Sequence, residues 1–367
     1  MRYKLFFLAV SLSNFIYGQN KVQRIDSLFN DFYTKGQLSG NILIAEKGRP
    51  IYQKSFGYAN EETKEELNIN SVFELASCSK QFTAFAIVKL KEQGKLNYDD
   101  PISKYIPELK VYDKITIRHL LCHTSGLPDY IELMDSLWDK NKIATNDDII
   151  NLFSVHKPKL LFEPNSKFEY SNTGYALLAS IIHKASGESY KEFLENHIFR
   201  PLKMQSTFVH NGRYKPEKIN HYVLGYVYDD STKKFILPDN YAPTKLVVWL
   251  DGVQGDGSVI STTNDLLKWD RALYSSKIIS EISRKEIFEP TILNDGSKTE
   301  YGFGWFLINN DYGFQVSHTG AWLGYAAIIE RNLTKDNTII ILTNHDEFPK
   351  LLRTLRKILN DNTMTKK

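Results

Sequence analysis

Three short runs of residues carry the side chains that acyl-transfer chemistry needs. Phe73-Glu74-Leu75-Ala76-Ser77-Cys78-Ser79-Lys80 leads directly into a helical run ending near Leu90, so Ser77 stands at a helix N-terminus and Lys80, three residues on, shares its face. Unpaired backbone N–H groups at such an end stabilise an anion, and an ammonium beside a hydroxyl favours its ionised, nucleophilic form. An isolated S-x-x-K more often marks a plain helix cap followed by a solvated lysine. Two further runs change that balance. Phe168-Glu169-Tyr170-Ser171-Asn172 precedes a helix opening at Thr173, which lets Tyr170 and Asn172 project from the loop beside it. Ser317-His318-Thr319-Gly320 sits at the end of a predicted strand and is followed by Ala321 and Trp322. S-x-x-K, then Y-x-N, then a basic residue with Thr-Gly on a strand is an order that chance rarely produces with each run in its expected local structure.

The elements that must position these runs follow from apolar periodicity. Asn20 to Gly36 spaces Val22, Ile25, Leu28, Phe29 and Phe32 as a helix with a glycine stop. Gly40 to Ala45 and Pro50 to Gly57 read as strands joined by a hairpin turn over Glu46-Lys47-Gly48-Arg49. From Ala76 to about Leu246 the pattern turns helical, with segments Gln81 to Gln93, Asp147 to Val155, Thr173 to Ala185 and Tyr190 to Phe199. Strand patterns return at Tyr301 to Ile308, Phe314 to Ser317, Tyr325 to Arg331 and Thr338 to Thr343, before a helix from Glu347 to Leu359. The expected class is α+β, sandwich-like. An antiparallel sheet is built from both termini and flanked by helices, with an inserted, mainly helical lobe. The expected division is a sheet lobe over 21–76 and 247–360 and a helical lobe over 77–246, together one catalytic domain.

Composition narrows the function classes. The 367 residues are 42% hydrophobic, enough for a large core, and carry a net charge of only +3, which gives no electrostatic support for a nucleic-acid or polybasic-membrane partner. Residues 1–18 run from Arg2 and Lys4 through an apolar stretch to Gly18, the layout of a secretory signal peptide, so a soluble periplasmic or secreted protein with no membrane span after signal removal is expected. Two cysteines, Cys78 and Cys122, cannot make a disulfide framework and are expected to be buried as small hydrophobes. His119 and His123 lie four apart but lack an H-E-x-x-H context, so they are read as structural; no metal or organic cofactor is implied. Asp256, between two glycines, is read as shaping a turn near the site, and Tyr130, Trp249, Trp305, Trp322 and Tyr325 as candidates for a cleft lining. Nothing in the sequence speaks to oligomeric state.

On these motifs the chain resembles the penicillin-recognising serine hydrolases, in the branch containing class C β-lactamases, D-aminopeptidases, D-alanyl-D-alanine carboxypeptidases and related esterases. Further landmarks are Gln81-Phe82-Thr83, Gly94-Lys95-Leu96 with Asp99-Asp100-Pro101, His123-Thr124-Ser125-Gly126-Leu127-Pro128, Pro201-Leu202-Lys203-Met204, Gly255-Asp256-Gly257-Ser258 and Tyr301-Gly302-Phe303-Gly304-Trp305, so the resemblance spans about residues 25 to 345. It implies a β-lactamase/transpeptidase-like fold and an exported enzyme acting on a small-molecule ester, amide or peptide through a Ser77 acyl-enzyme. Lys80 and Tyr170 would share proton transfer, Asn172 would hold the substrate amide or Lys80, and the backbone N–H groups of Ser77 and Ala321 would form the oxyanion hole. His318, Thr319, Gly320 and Ala321 would be substrate-binding. His318 departs from the lysine usual in β-lactamases; an imidazole there would make the charge of the site depend on pH and argues against efficient β-lactam hydrolysis. A β-lactamase proper, or a catalytically silent peptidoglycan- or penicillin-binding module, are the alternatives. An α/β-hydrolase is disfavoured because the chain has no G-x-S-x-G elbow.

Overall fold

The computed structural model describes residues 20–345, apart from 242 and 244, and residues 351–361. The leader expected over 1–18 lies outside these residues, as does the start of the expected terminal helix. Among the described residues no helix is long and apolar enough to cross a membrane.

The fold is α+β, as expected. Helix α1 covers residues 20–34. Strands β1 (Gly40–Glu46) and β2 (Arg49–Phe56) form the N-terminal hairpin. Late in the chain come β6 (Phe306–Asn310), β7 (Gly313–Trp322), β8 (Tyr325–Asn332) and β9 (Asn337–Thr343), and α5 (Leu352–Asn360) follows. These strands make one antiparallel sheet in the order β6-β7-β8-β9-β1-β2, with Gly40 opposite Thr343 and Glu46 opposite Asn337. Side chains alternate across it. Ile42, Ile44, Ile339 and Ile341 pack with Ile25 and Phe29 of α1 and Leu355 and Ile358 of α5, while Leu43, Ala45, Ile340 and Leu342 face the larger core on the other side.

That larger core is organised around α2 (Lys80–Glu92), whose residues are buried continuously from Lys80 to Val88. A helix apolar on all sides needs cover on all sides. It lies against α4 (Asn172–Ser186), with α3 (Tyr130–Leu137) nearby, and Phe82 and Phe85 both pack on Trp269. A small three-stranded sheet, β3 (Phe73–Glu74), β5 (Val259–Ser261) and β4 (Phe208–Val209) in that order, feeds the chain into α2.

Two strand expectations need correction. Tyr301 to Trp305 is no strand: Tyr301 makes a single bridge to Phe306, and regular pairing starts there. Its two glycines explain why, since a Cβ on Gly302 would stand 2.2 Å from the Ile287 carbonyl oxygen and one on Gly304, at φ +78°, 2.8 Å from that of Lys80. The segment is used for close backbone approach, Gly304 to α2 and Gly302 to the Ile287 carbonyl. Conversely, β7 does not end at Ser317 but runs on to Trp322.

Candidate active site

Strand β3 delivers the chain into a 3-10 turn, Ala76–Ser79, which continues as α2. Ala76 holds a left-handed φ of +46°, a conformation that costs a non-glycine residue about 1 kcal/mol or more and here turns the chain sharply just before Ser77. Against this turn lies β7, which approaches so closely that a Cβ on Gly320 would stand 2.0 Å from the Leu75 carbonyl oxygen and 3.1 Å from the Ser77 nitrogen. Strand β6 pairs with β7 only as far as Ser317, so beyond that point β7 offers an edge toward Ser77.

Lys80 is fully buried, and its three ammonium hydrogens have three acceptors. It donates to Ser77 Oγ at 3.1 Å, Asn172 Oδ1 at 2.8 Å and the Asp256 carbonyl at 2.9 Å. Asn172 opens α4, and both its backbone N–H and its Nδ2 donate to Asp129 Oδ2, at 2.7 and 3.0 Å. That fixes its Oδ1 toward Lys80. Asp129 in turn caps α3 through Ile131 N–H at 3.0 Å. The Asp256 carboxylate accepts from Tyr130 OH at 2.9 Å, and burial raises its pKa. Asp256 thus shapes a turn at the site as expected, with its carbonyl on Lys80.

Tyr170 places its ring 5.0 Å from Lys80 Nζ and 4.2 Å from the His123 ring. Its hydroxyl is buried and has no hydrogen-bond partner. His318, only 1% exposed, has both nitrogens engaged: Nδ1 lies 2.6 Å from the Thr319 carbonyl oxygen and Nε2 3.0 Å from Tyr301 OH. A carbonyl can only accept, so Nδ1 carries the proton and Nε2 accepts from the phenol. Burial first, and the nearby Lys80 ammonium second, lower the His318 pKa to about 3. The expectation that His318 makes the site's charge vary with pH is therefore wrong for ordinary pH: the imidazole is neutral and lies beneath the cleft.

The cleft itself encloses about 190 Å³, with Ser77, Asn172, Asp256, Ala321 and Trp322 among its walls. Ala321 and Thr319 are exposed, Gly320 is buried, and of these three only Ala321 lines the cleft. Of the candidate aromatics, Tyr130 and Trp322 line it. Trp249 and Trp305 are core residues, and Tyr325 donates to the Val223 carbonyl at 2.7 Å. Glu74, His210, Asn211 and Asp251 also line the cleft, from stretches that carry no motif. Glu74 accepts from Tyr222 OH at 2.6 Å and burial raises its pKa.

Cys78 and Cys122 are free and buried, as expected, and burial pushes their thiols up to about 12 and about 11. Cys78 Sγ donates to the His318 carbonyl at 3.1 Å, tying the turn to β7. His119 Nδ1 accepts from Thr116 N–H and His123 Nδ1 from Ser171 N–H, each at 3.1 Å. Among the described residues no group of three or more His, Cys, Asp or Glu side chains could hold a metal ion.

Comparison with known proteins bears on this geometry. A family model described as Beta-lactamase matches residues 25–361. Penicillin-binding protein 4* of Bacillus subtilis (strain 168) is 47% identical over 330 residues, covering 90% of this chain and 73% of its own. Among solved structures, the octameric penicillin-binding protein homologue from Pyrococcus abyssi aligns with a TM-score of 0.77 at 27% identity, over 92% of this chain and 76% of its own. D-amino acid amidase from Ochrobactrum anthropi SV3 aligns at 0.70 and 26% identity, over 91% of this chain and 97% of its own.

Proposed function

We propose, for a chain that belongs to the beta-lactamase family of serine hydrolases, an exported enzyme that cleaves small esters, D-amino-acid amides or peptidoglycan-like peptides through an acyl-enzyme on Ser77. The observation that carries this reading is the Ser77 Oγ–Lys80 Nζ contact at 3.1 Å, with the ring of Tyr170, whose hydroxyl is buried and unpartnered, 5.0 Å from that Nζ. In the proposed sequence, the Lys80/Tyr170 pair first releases one proton to solvent, so that it holds one fewer than an ammonium plus a phenol; Ser77 Oγ then attacks the substrate carbonyl carbon and its proton passes to that pair. The same pair returns it to the leaving amine or alcohol, and water then hydrolyses the acyl-enzyme with the proton moving the other way. The backbone N–H groups of Ser77 and Ala321 receive the oxyanion, each such donor typically worth about 3 kcal/mol in the transition state. The division into a sheet lobe over 21–76 and 247–360 and a helical lobe over 77–246, with the site between them, and a leader over 1–18 belong to the same proposal.

A neutral His318 supports ester and amide substrates over β-lactams, because it supplies no cation to fix a β-lactam carboxylate. The similarity to a D-amino acid amidase supports D-amino-acid amides as a substrate class. The test compares p-nitrophenyl acetate, D-alanine p-nitroanilide and a chromogenic cephalosporin on the purified protein and on Ser77→Ala. Turnover of the ester or anilide that vanishes in Ser77→Ala, with Ser77 labelled by a fluorophosphonate, is the expected result. A cephalosporin kcat/KM near the diffusional range would make it a β-lactamase proper. No turnover and no labelling would make it a silent binding module.

A further inference from the structure

The reacting end of Tyr170 is held by nothing. Its hydroxyl has no hydrogen-bond partner, while its ring lies 5.0 Å from Lys80 Nζ, so where that oxygen stands depends on what grips the ring and the backbone. One residue does both. The carbonyl of His123 accepts the Glu169 N–H at 2.9 Å, and its Nδ1 accepts the Ser171 N–H at 3.1 Å, so the amides on both sides of Tyr170 end on His123. Its ring lies on the Tyr170 ring, centroids 4.2 Å apart and planes 30° from parallel. The next rings against Tyr170 are farther off, His318 at 6.1 Å, Phe306 at 6.3 Å and Tyr301 at 6.4 Å.

His123 is itself fixed. It is 2% exposed, stands at a left-handed φ of +56°, and its ring is enclosed by those of Phe168, Tyr175 and Tyr301. With Nδ1 accepting, the ring proton sits on Nε2. Burial first, and the Lys80 ammonium second, keep the imidazole uncharged, so it adds no second cation beside Lys80.

We propose that His123 is a positioning residue for Tyr170, holding its ring beside Lys80 so that the phenolic oxygen can exchange a proton with Ser77 and Lys80 in the reacting complex, through two hydrogen bonds from backbone amides and a ring contact. This rests on the proposed role of Tyr170 in proton transfer. Proton transfer is steep in distance, and a displacement of about 1 Å costs on the order of 100-fold in rate.

The experiment is a double-mutant cycle on p-nitrophenyl acetate with His123→Ala, Tyr170→Phe and both together, plus His123→Asn. Asparagine tolerates the left-handed φ and offers Oδ1 where Nδ1 stood, while lacking the ring. Expected for His123→Ala is a kcat lower by about 10- to 100-fold with KM within about threefold. His123→Asn should recover a large part of that loss. The double variant should fall no more than about threefold below Tyr170→Phe, because His123 acts only through Tyr170. Losses that multiply in the double variant overturn the proposal, as does an unchanged kcat in His123→Ala while Tyr170→Phe is slow. If His123→Ala does not fold, the cycle run with His123→Gly, which suits the left-handed φ and likewise lacks the ring and Nδ1, decides by the same criterion. If Tyr170→Phe keeps full activity, it is the proton-transfer reading of Tyr170 that fails, and any kcat loss in His123→Ala then shows His123 acting elsewhere.

Discussion

Burying a neutral imidazole makes the protein sensitive to acid in a calculable way. His318 has a pKa of about 3 in the folded chain, and an unfolded histidine titrates near about 6.5. Above about pH 6.5 both states are neutral and the residue contributes nothing to the pH dependence; as pH falls toward 3 the unfolded chain takes a proton that the folded chain refuses, so stability is lost. With those two values the loss between pH 7 and pH 5 is about 2 kcal/mol, and it saturates near or below pH 3. The total curve mixes other groups. Glu74 and Asp256, whose pKa burial raises, contribute in the opposite sense, favouring the fold as pH falls, because the folded chain protonates first. The informative quantity is therefore a difference. His318→Gln keeps an acceptor for Tyr301 OH without a titrating ring, so its own cost is independent of pH. Urea unfolding of both proteins at pH 7, 6 and 5 should show the gap between parent and variant changing by about 2 kcal/mol in favour of the variant at pH 5. A change below about 0.5 kcal/mol would mean that His318 takes up a proton in the fold, and the neutral-imidazole reasoning would fall with it.

Other outcomes follow from single contacts. Gly320→Ala forces a Cβ to 2.0 Å from the Leu75 carbonyl oxygen, so β7 must move off the nucleophile turn; ester turnover should drop at least about tenfold and stability by about 1 to 3 kcal/mol, checked by kcat/KM and thermal melting. Asp129→Ala removes the cap of α3 and both anchors of Asn172. It should cost about 1 to 3 kcal/mol in urea unfolding and lower kcat/KM as Lys80 loses a fixed acceptor. Thiol titration with Ellman's reagent should find Cys78 and Cys122 unreactive in buffer and both reactive in guanidinium, in keeping with their burial and raised pKa; rapid reaction of Cys78 in buffer would refute its burial.

The parts of the site that could be read from sequence are those set by local spacing. A spacing of three at the start of a helix brings Lys80 over Ser77 whatever surrounds them, and the unbroken apolar runs Ile42–Ala45 and Ile339–Leu342 announce strands covered on both faces. What was not legible depends on partners far along the chain. Asp129 on Asn172, and the Asp256 carbonyl on Lys80, are contacts whose residue types fit many roles. The strand was expected to end at Ser317, yet the missing Cβ of Gly320 is what lets β7 continue past Ser77 in close contact. That continuation puts His318 under the strand instead of at its exposed end, which is why its titration was misjudged.

The pairing of β1 with β9 also sets an order of events in time. As the chain is made, β1 and β2 emerge early and can close as a hairpin, but the other edge of β1 matches only β9, with Gly40 opposite Thr343 and Glu46 opposite Asn337. Until then Ile42, Leu43 and Ile44 lie on an open edge, the kind of surface on which newly made chains stick to one another. Joining segments so distant is slow, and it is all-or-none because the seam runs through the middle of the sheet and not along its rim. Every wall of the cleft, from Glu74 to Trp322, has left the ribosome before β9 begins at Asn337. Synthesis thus delivers the chemistry first and only afterwards the strand that locks it in place.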